Sequence, residues 1–126
     1  MTPCPKKISY LACPYSHQDP AIRIMRHQLV NKVAFEFHKR GKLVYSPLTH
    51  NIPLIHLSDK ENSWKDWSVF DKEMLSRCDE LIVLKIQGWE ISKGVYGEIA
   101  FAEQLHLPIE IIDPMAYFNL NIDEFC

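Results

Sequence analysis

The stretch "DELIVLKI", Asp79 to Ile86, sets four apolar residues in a row, Leu81 to Leu84, between polar ends. A strand with one solvated face alternates apolar and polar residues, so an unbroken run of this kind needs cover on both faces. Such cover calls for helices above and below a sheet, and the rest of the chain supplies the pattern. "KISYLAC" (Lys7 to Cys13) is a short β-prone run stopped by Pro14. "KLVYS" (Lys42 to Ser46), closed by Pro47, and "IEIID" (Ile109 to Asp113), introduced by Pro108, read as two more strands.

Helical signals lie between these runs. Asp19-Pro20 gives an N-cap with proline at the first helical position, and Ile22, Leu29, Val30, Val33, Ala34 and Phe37 then recur at three- and four-residue steps. "HKRGK" ends that helix with basic residues in the last turn and Gly41 beyond. Ser63 reads as the cap of "WKDWSVFDKEMLSRC", whose inner stripe draws on Trp64, Trp67 or Ser68, Val69 or Phe70, Met74 and Leu75. A third helix follows "GWEISKG", and the tail from Pro114 to Cys126 reads as a short helix and an irregular end. Pro47 to Asn62, carrying His50, Pro53 and His56, shows no clean period and reads as a long loop of the kind that is often functional.

The order β-α-β-(loop)-α-β-α-β predicts one α/β domain over residues 1–126. The expected architecture is a three-layer α-β-α sandwich around a doubly wound, mostly parallel sheet of four or five strands, flavodoxin-like or Rossmann-like. Ligands in such folds sit at the carboxyl ends of the strands where the strand order reverses. That directs attention to the loops Pro14–Asp19, Ser46–Asn62 and Gln87–Lys93.

Lys+Arg 14 against Asp+Glu 16 gives a net charge of -2, which excludes a global basic field for nucleic acid. The apolar runs fall far short of the roughly 20 residues that cross a bilayer. The N-terminus lacks the apolar stretch of a signal peptide, so the chain reads as cytoplasmic, without membrane or nucleic-acid partners. Cys4, Cys13, Cys78 and Cys126 are scattered without a CxxC and read as free thiols, two of them in the core. Neither they nor His50 and His56 have the spacing of a metal site, and no cofactor is expected.

GxGxxG and GxxxxGK[ST] are both missing, as is the acidic pair of phosphorylated receiver domains. What remains is "SKGVYGE". Ser92, Lys93 and Gly94 precede a helix whose free N–H groups suit an anion; equally, Ser92 caps that helix and Gly94 relieves strain. Glu98 borders the apolar stripe, either as a charge helping the helix start or as a partly desolvated carboxylate aimed at a ligand, and position does not separate the two. Asp71 interrupts the apolar side of the second helix, while Asp79 opens a strand as a turn residue. Arg23 and Arg26 near the start of the first helix are either solvated or able to close over an anion beside the first loop.

With these positions placed, the chain resembles the nucleoside 2-deoxyribosyltransferase superfamily, including nucleoside 5′-monophosphate N-glycosidases. "SYLACPYS" resembles that family's first strand and ligand-binding loop, "FDKEMLSRCDELIVL" its aspartate block, and "SKGVYGEIAFAEQLHLPI" its catalytic block. The likeness spans Ile8 to about Asp113 and looks closest to a small bacterial and phage branch, although the family's glycine after the glutamate is replaced by Ile99–Ala100. The resemblance implies cleavage of an N-glycosidic bond by hydrolysis or transfer, without a cofactor, in a homo-oligomer acting on a nucleoside or nucleotide. It implies Glu98 as nucleophile, kept ionised by the helix N-terminus and a Tyr10 hydrogen bond, and Asp71 as the group that positions or protonates the base. Ser92 with Lys93 or Arg23 would hold a 5′-phosphate, and Gly94, Ser16, Asp79, His50 and Trp89 complete the substrate-binding set. Two competing expectations are a non-catalytic nucleotide or nucleotide-sugar binding module and an enzyme acting on a sugar phosphate.

Overall fold

The computed structural model describes residues 6–57 and 64–121, and for 64–66 the backbone alone. The expected Ser63 cap, Cys4, Cys126 and the Trp64 side chain lie outside the described residues. The elements in chain order are β1 (Ile8–Ala12), α1 (Pro20–Lys39), β2 (Leu43–Tyr45), α2 (Pro47–Ile55) and α3 (Trp64–Ser76). Then come β3 (Glu80–Leu84), a single 3₁₀ turn (Trp89–Ile91), α4 (Lys93–Gln104), β4 (Ile109–Ile112) and α5 (Pro114–Phe118). The four strands form one parallel sheet in the order β2-β1-β3-β4. The chain therefore moves to one side after β1 and to the other after β3, and the strand order reverses between these two neighbours. Among the described residues no helix is long and apolar enough to cross a membrane.

The run that demanded two-sided cover receives it. Leu81 and Val83 join Tyr10 and Ala12 of β1 against Leu75 of α3 and Val95 and Ala102 of α4. Ile82 and Leu84 join Leu11 against Leu29, Val30, Val33 and Phe37 of α1 and Phe118 of α5. All four apolar residues of β3 are buried. At about 2 kcal/mol for each such side chain, this strand outweighs any one helix cap in the chain, each worth about 1 kcal/mol. Asp19 does cap α1, accepting from the Ala21 N–H, and Gly41 follows the helix at φ 79°.

Two expectations are corrected. Pro47 onward is not a loop but α2, capped by Ser46, which accepts from the Thr49 N–H, with Pro47 at the start. This is the Asp19-Pro20 signature again, read at first only as the end of a strand. The helix shows no clean period because it is short and one of its buried residues, Asn51, is polar. On α3 the inner stripe runs through Leu75 and the partly buried Met74, while Val69 is 67% exposed and Phe70 packs on His50 of α2 instead of the sheet. The polar Asp71, four residues before Leu75, takes the inward position instead.

Arg26 ties the two loops that leave the reversal point. It is only 5% exposed, and its Nη1 donates to the Tyr15 and Ser16 carbonyls while Nη2 donates to the Gln87 carbonyl at 2.9 Å. Its guanidinium is committed to backbone and is neither solvated nor free to close over an anion. Gly88 is shaped by the same contact: its φ is 92°, and a Cβ there would stand 2.5 Å from Arg26 Nη2. Arg26→Met is expected to cost about 3 kcal/mol in urea unfolding, because buried carbonyls lose a charged donor. Gly88→Ala is expected to cost about 2 kcal/mol in the wild type but only about 1 kcal/mol in Arg26→Met, where backbone strain alone remains. Equal costs in both backgrounds would show that the two residues do not meet.

Candidate functional site

A cavity of about 630 Å³ opens beside the carboxyl ends of β1 and β3. Tyr15 and Ser16 line it from the loop after β1, Asp71 and Lys72 from α3, and Ser92, Lys93 and Glu98 from the start of α4. Five α4 residues line it at helical spacing, Lys93, Gly94, Gly97, Glu98 and Phe101. Gly94 and Gly97 are not answers to strain, since neither has a positive φ. A Cβ on Gly97 would meet nothing within 4 Å, and one on Gly94 only Ser92 Oγ at 4.0 Å. Glycine in a helix costs about 1 kcal/mol relative to alanine, so their direct effect here is to keep volume open above Glu98.

Ser92 caps α4, with its hydroxyl accepting from the Val95 N–H at 3.3 Å, and still stands on the cavity wall. Lys93 and Lys72 bring two ammonium groups to that wall, the latter 5.8 Å over the Phe101 ring. Burial pushes Glu98 up from an ordinary 4.5 to about 8; Tyr10 holds it down in part and the nearby Asp71 charge raises it further. The buried Tyr10 hydroxyl lies beside Glu98 without reaching regular hydrogen-bond geometry. Burial also raises Asp71, against a hydrogen bond from Asn51 and the His50 charge. Cys13, on the cavity wall, is pushed well above the usual thiol range by burial and remains a neutral thiol. The expectation of a Glu98 kept ionised by the helix N-terminus is thereby corrected. Glu98 is the sixth residue of α4, beyond the first turn where the dipole acts, and desolvation dominates.

Glu98, Asp71, Ser92, Lys93, Gly94 and Ser16 thus meet on one cavity, with Tyr10 beneath it. Four predicted residues stand elsewhere. Asp79 precedes β3 and lies at the amino edge of the sheet, where its carboxylate accepts from the Ile8 N–H at 2.7 Å. Arg23 donates to the His17 and Gln18 carbonyls and braces the first loop from outside. Trp89 packs on the apolar cluster beneath α3 and α4. His50 lies on α2, stacked on Phe70 at 5.2 Å and bonded to Asn51. Lys72, Gly97 and Phe101 were missed, although Gly97 three residues after Gly94 and Phe101 three after Glu98 offered a signal for the last two. Asn51 had none, because its helix was read as a loop.

A family described as "Domain of unknown function (DUF1937)" matches residues 7–113, a span that includes all four strands. No curated protein matches the sequence. Among solved structures, the chain is similar to the 2-deoxyribosyltransferase of the psychrotolerant bacterium Bacillus psychrosaccharolyticus. The TM-score is 0.55 at 19% identity, over 85% of this chain and 72% of that one. At that identity the likeness establishes the fold, which is the one the sequence resemblance implied.

The raised carboxyls carry a consequence for stability. Between about 4.5 and 8 folded Glu98 keeps a proton that the unfolded chain has released, so stability falls as pH rises through that window. The raised Asp71 acts in the same direction. Glu80, held low by the Ser9 hydroxyl and Lys42, and His27, held low by burial, act in the opposite direction and cancel in a mutant comparison. Glu98→Gln is expected to match the wild-type Tm near pH 4 and to exceed it by on the order of 10 °C or more at pH 8.5. A constant Tm difference across that range would show that Glu98 titrates normally.

Proposed function

Since the chain belongs to the DUF1937 family and has the fold of a 2-deoxyribosyltransferase, we propose that it cleaves the N-glycosidic bond of a nucleoside or nucleoside 5′-monophosphate. The observation that carries this reading is the meeting of Glu98 and Asp71, both with raised carboxyls, on one cavity at the strand-order reversal. The cavity volume of about 630 Å³ suits a small-molecule ligand. Ser92, Lys93, Lys72 and the free N–H groups of α4 give one side of it an anion-binding character that fits a 5′-phosphate.

As the C1′–N bond breaks, its electron pair leaves with the base and positive charge develops on the sugar ring. Glu98 as a carboxylate bonds to C1′, and Asp71 delivers a proton to the departing base nitrogen. Water or a second base then attacks C1′, releasing Glu98 and returning a proton to the pair. This two-carboxyl logic parallels retaining glycoside hydrolysis. One proton shared between Glu98 and Asp71 is enough for the first step: when it resides on Asp71, Glu98 is the ionised nucleophile. Burial destabilises that carboxylate before substrate binds, and the developing cation restores the balance in the transition state.

Incubation of a nucleoside and nucleotide panel, followed by chromatography, is expected to show base release by the wild type. Glu98→Gln is expected to lower that release at least about 1000-fold while staying folded; a folded mutant with full activity would remove Glu98 from the chemistry. Nucleotide binding without base release anywhere in the panel would instead assign a binding module.

The shared proton also fixes a pH profile. A bell-shaped kcat/KM is expected, with an alkaline limb near 8 where the pair loses its last proton. A rate still rising above that pH would mean that no proton on the pair is needed.

A further inference from the structure

Asp71 is held from behind the cavity. Its Oδ1 accepts from Asn51 Nδ2 at 2.8 Å, and Asn51 Oδ1 stands 2.7 Å from His50 Nδ1. Asn51 is only 2% exposed, so its amide has little recourse to water. An amide has one donor end and one acceptor end. With its donor end on Asp71, the Asn51 carbonyl faces His50. That contact is a hydrogen bond only if His50 carries a hydrogen on Nδ1.

The ring is well placed to hold that orientation. His50 stacks on Phe70 at 5.2 Å and 11°, with Trp67 at 6.1 Å and Tyr45 at 6.1 Å from it. Phe70 immediately precedes Asp71 on α3, so one helix carries the carboxyl and the surface that orients its support. We infer that Asn51 is a positioning residue for Asp71, and that the Nδ1–H tautomer of His50 fixes the direction of the Asn51 amide. The role in turnover rests on the proposed base release; the hydrogen-bond relay itself does not.

The relay explains why an asparagine is buried beside a carboxyl. If the His50 hydrogen moved to Nε2, Asn51 would lose its donor and the amide could turn its own carbonyl toward Asp71. Asp71 is also faced by Glu98 from α4, by Tyr10 from β1 and by Tyr45 from β2. Among the described residues neither tyrosine hydroxyl hydrogen-bonds Asp71, so the Asn51 amide is the donor that fixes one edge of this carboxyl.

Two measurements test the relay. Long-range ¹H–¹⁵N spectra at about pH 9, where an imidazole is neutral, are expected to show His50 protonated on Nδ1, whereas free histidine favours Nε2. A His50 protonated on Nε2 would overturn the proposal whatever the activity panel shows. In kinetics, His50→Phe preserves the stack and Asn51→Leu preserves the volume. Each is expected to lower kcat about tenfold with KM within about twofold, and the double variant to be no worse than Asn51→Leu alone. Additive losses would make the two residues independent and overturn the relay. If the wild type releases no base, the functional reading fails while the tautomer measurement still decides the relay.

Discussion

The pairing of β1 with β3 is the constraint on which the molecule depends. Both strands are buried on both faces, so they must occupy the middle of the sheet with helices on either side. Once they are neighbours, the chain leaving β1 runs toward β2 and the chain leaving β3 runs toward β4. Their outgoing loops therefore part, and a cavity opens between them. Arg26 limits that parting by holding carbonyls of both loops with one guanidinium. The glycine at position 88 makes room for it. A sheet contact, a buried cation and a left-handed glycine together set the shape of the site.

The site itself is built against local preference. Two glycines weaken the first turns of α4, and two carboxyls sit where burial opposes their ionisation. Neither feature helps the fold, and both make sense if the open volume and the reluctant charges serve a ligand. Rules of local consistency tend to be broken in this way at functional sites, with the surrounding core supplying the stability. Here the fully buried residues of β1 and β3 lie directly beneath the exceptions.

Much of the frame was legible because it rests on short-range rules. The four-residue apolar run of β3, the Asp19-Pro20 cap and Gly41 each act within a few residues, so the strands and α1 could be read directly. α2 was hidden because Ser46-Pro47 signals a strand end as well as a helix start, and because its inner face includes Asn51. The arginines were misread for a different reason. Nothing local shows that Arg26 will find the Gln87 carbonyl, sixty-one positions away, rather than solvent or an anion.

The sequence by itself determined the alternation of strands and helices, the reversal loops and the grouping of Glu98, Asp71, Ser92 and Tyr10 as candidates. The first two follow from periodicity and caps, which the order of residues fixes, and the grouping follows from the family resemblance. Only the tertiary structure decided that Asp79 faces the opposite edge of the sheet, that Glu98 holds its proton to about 8, and that Asn51 stands behind Asp71. Each of these depends on desolvation or on a partner brought in from another element, and neither quantity exists until the layers have packed.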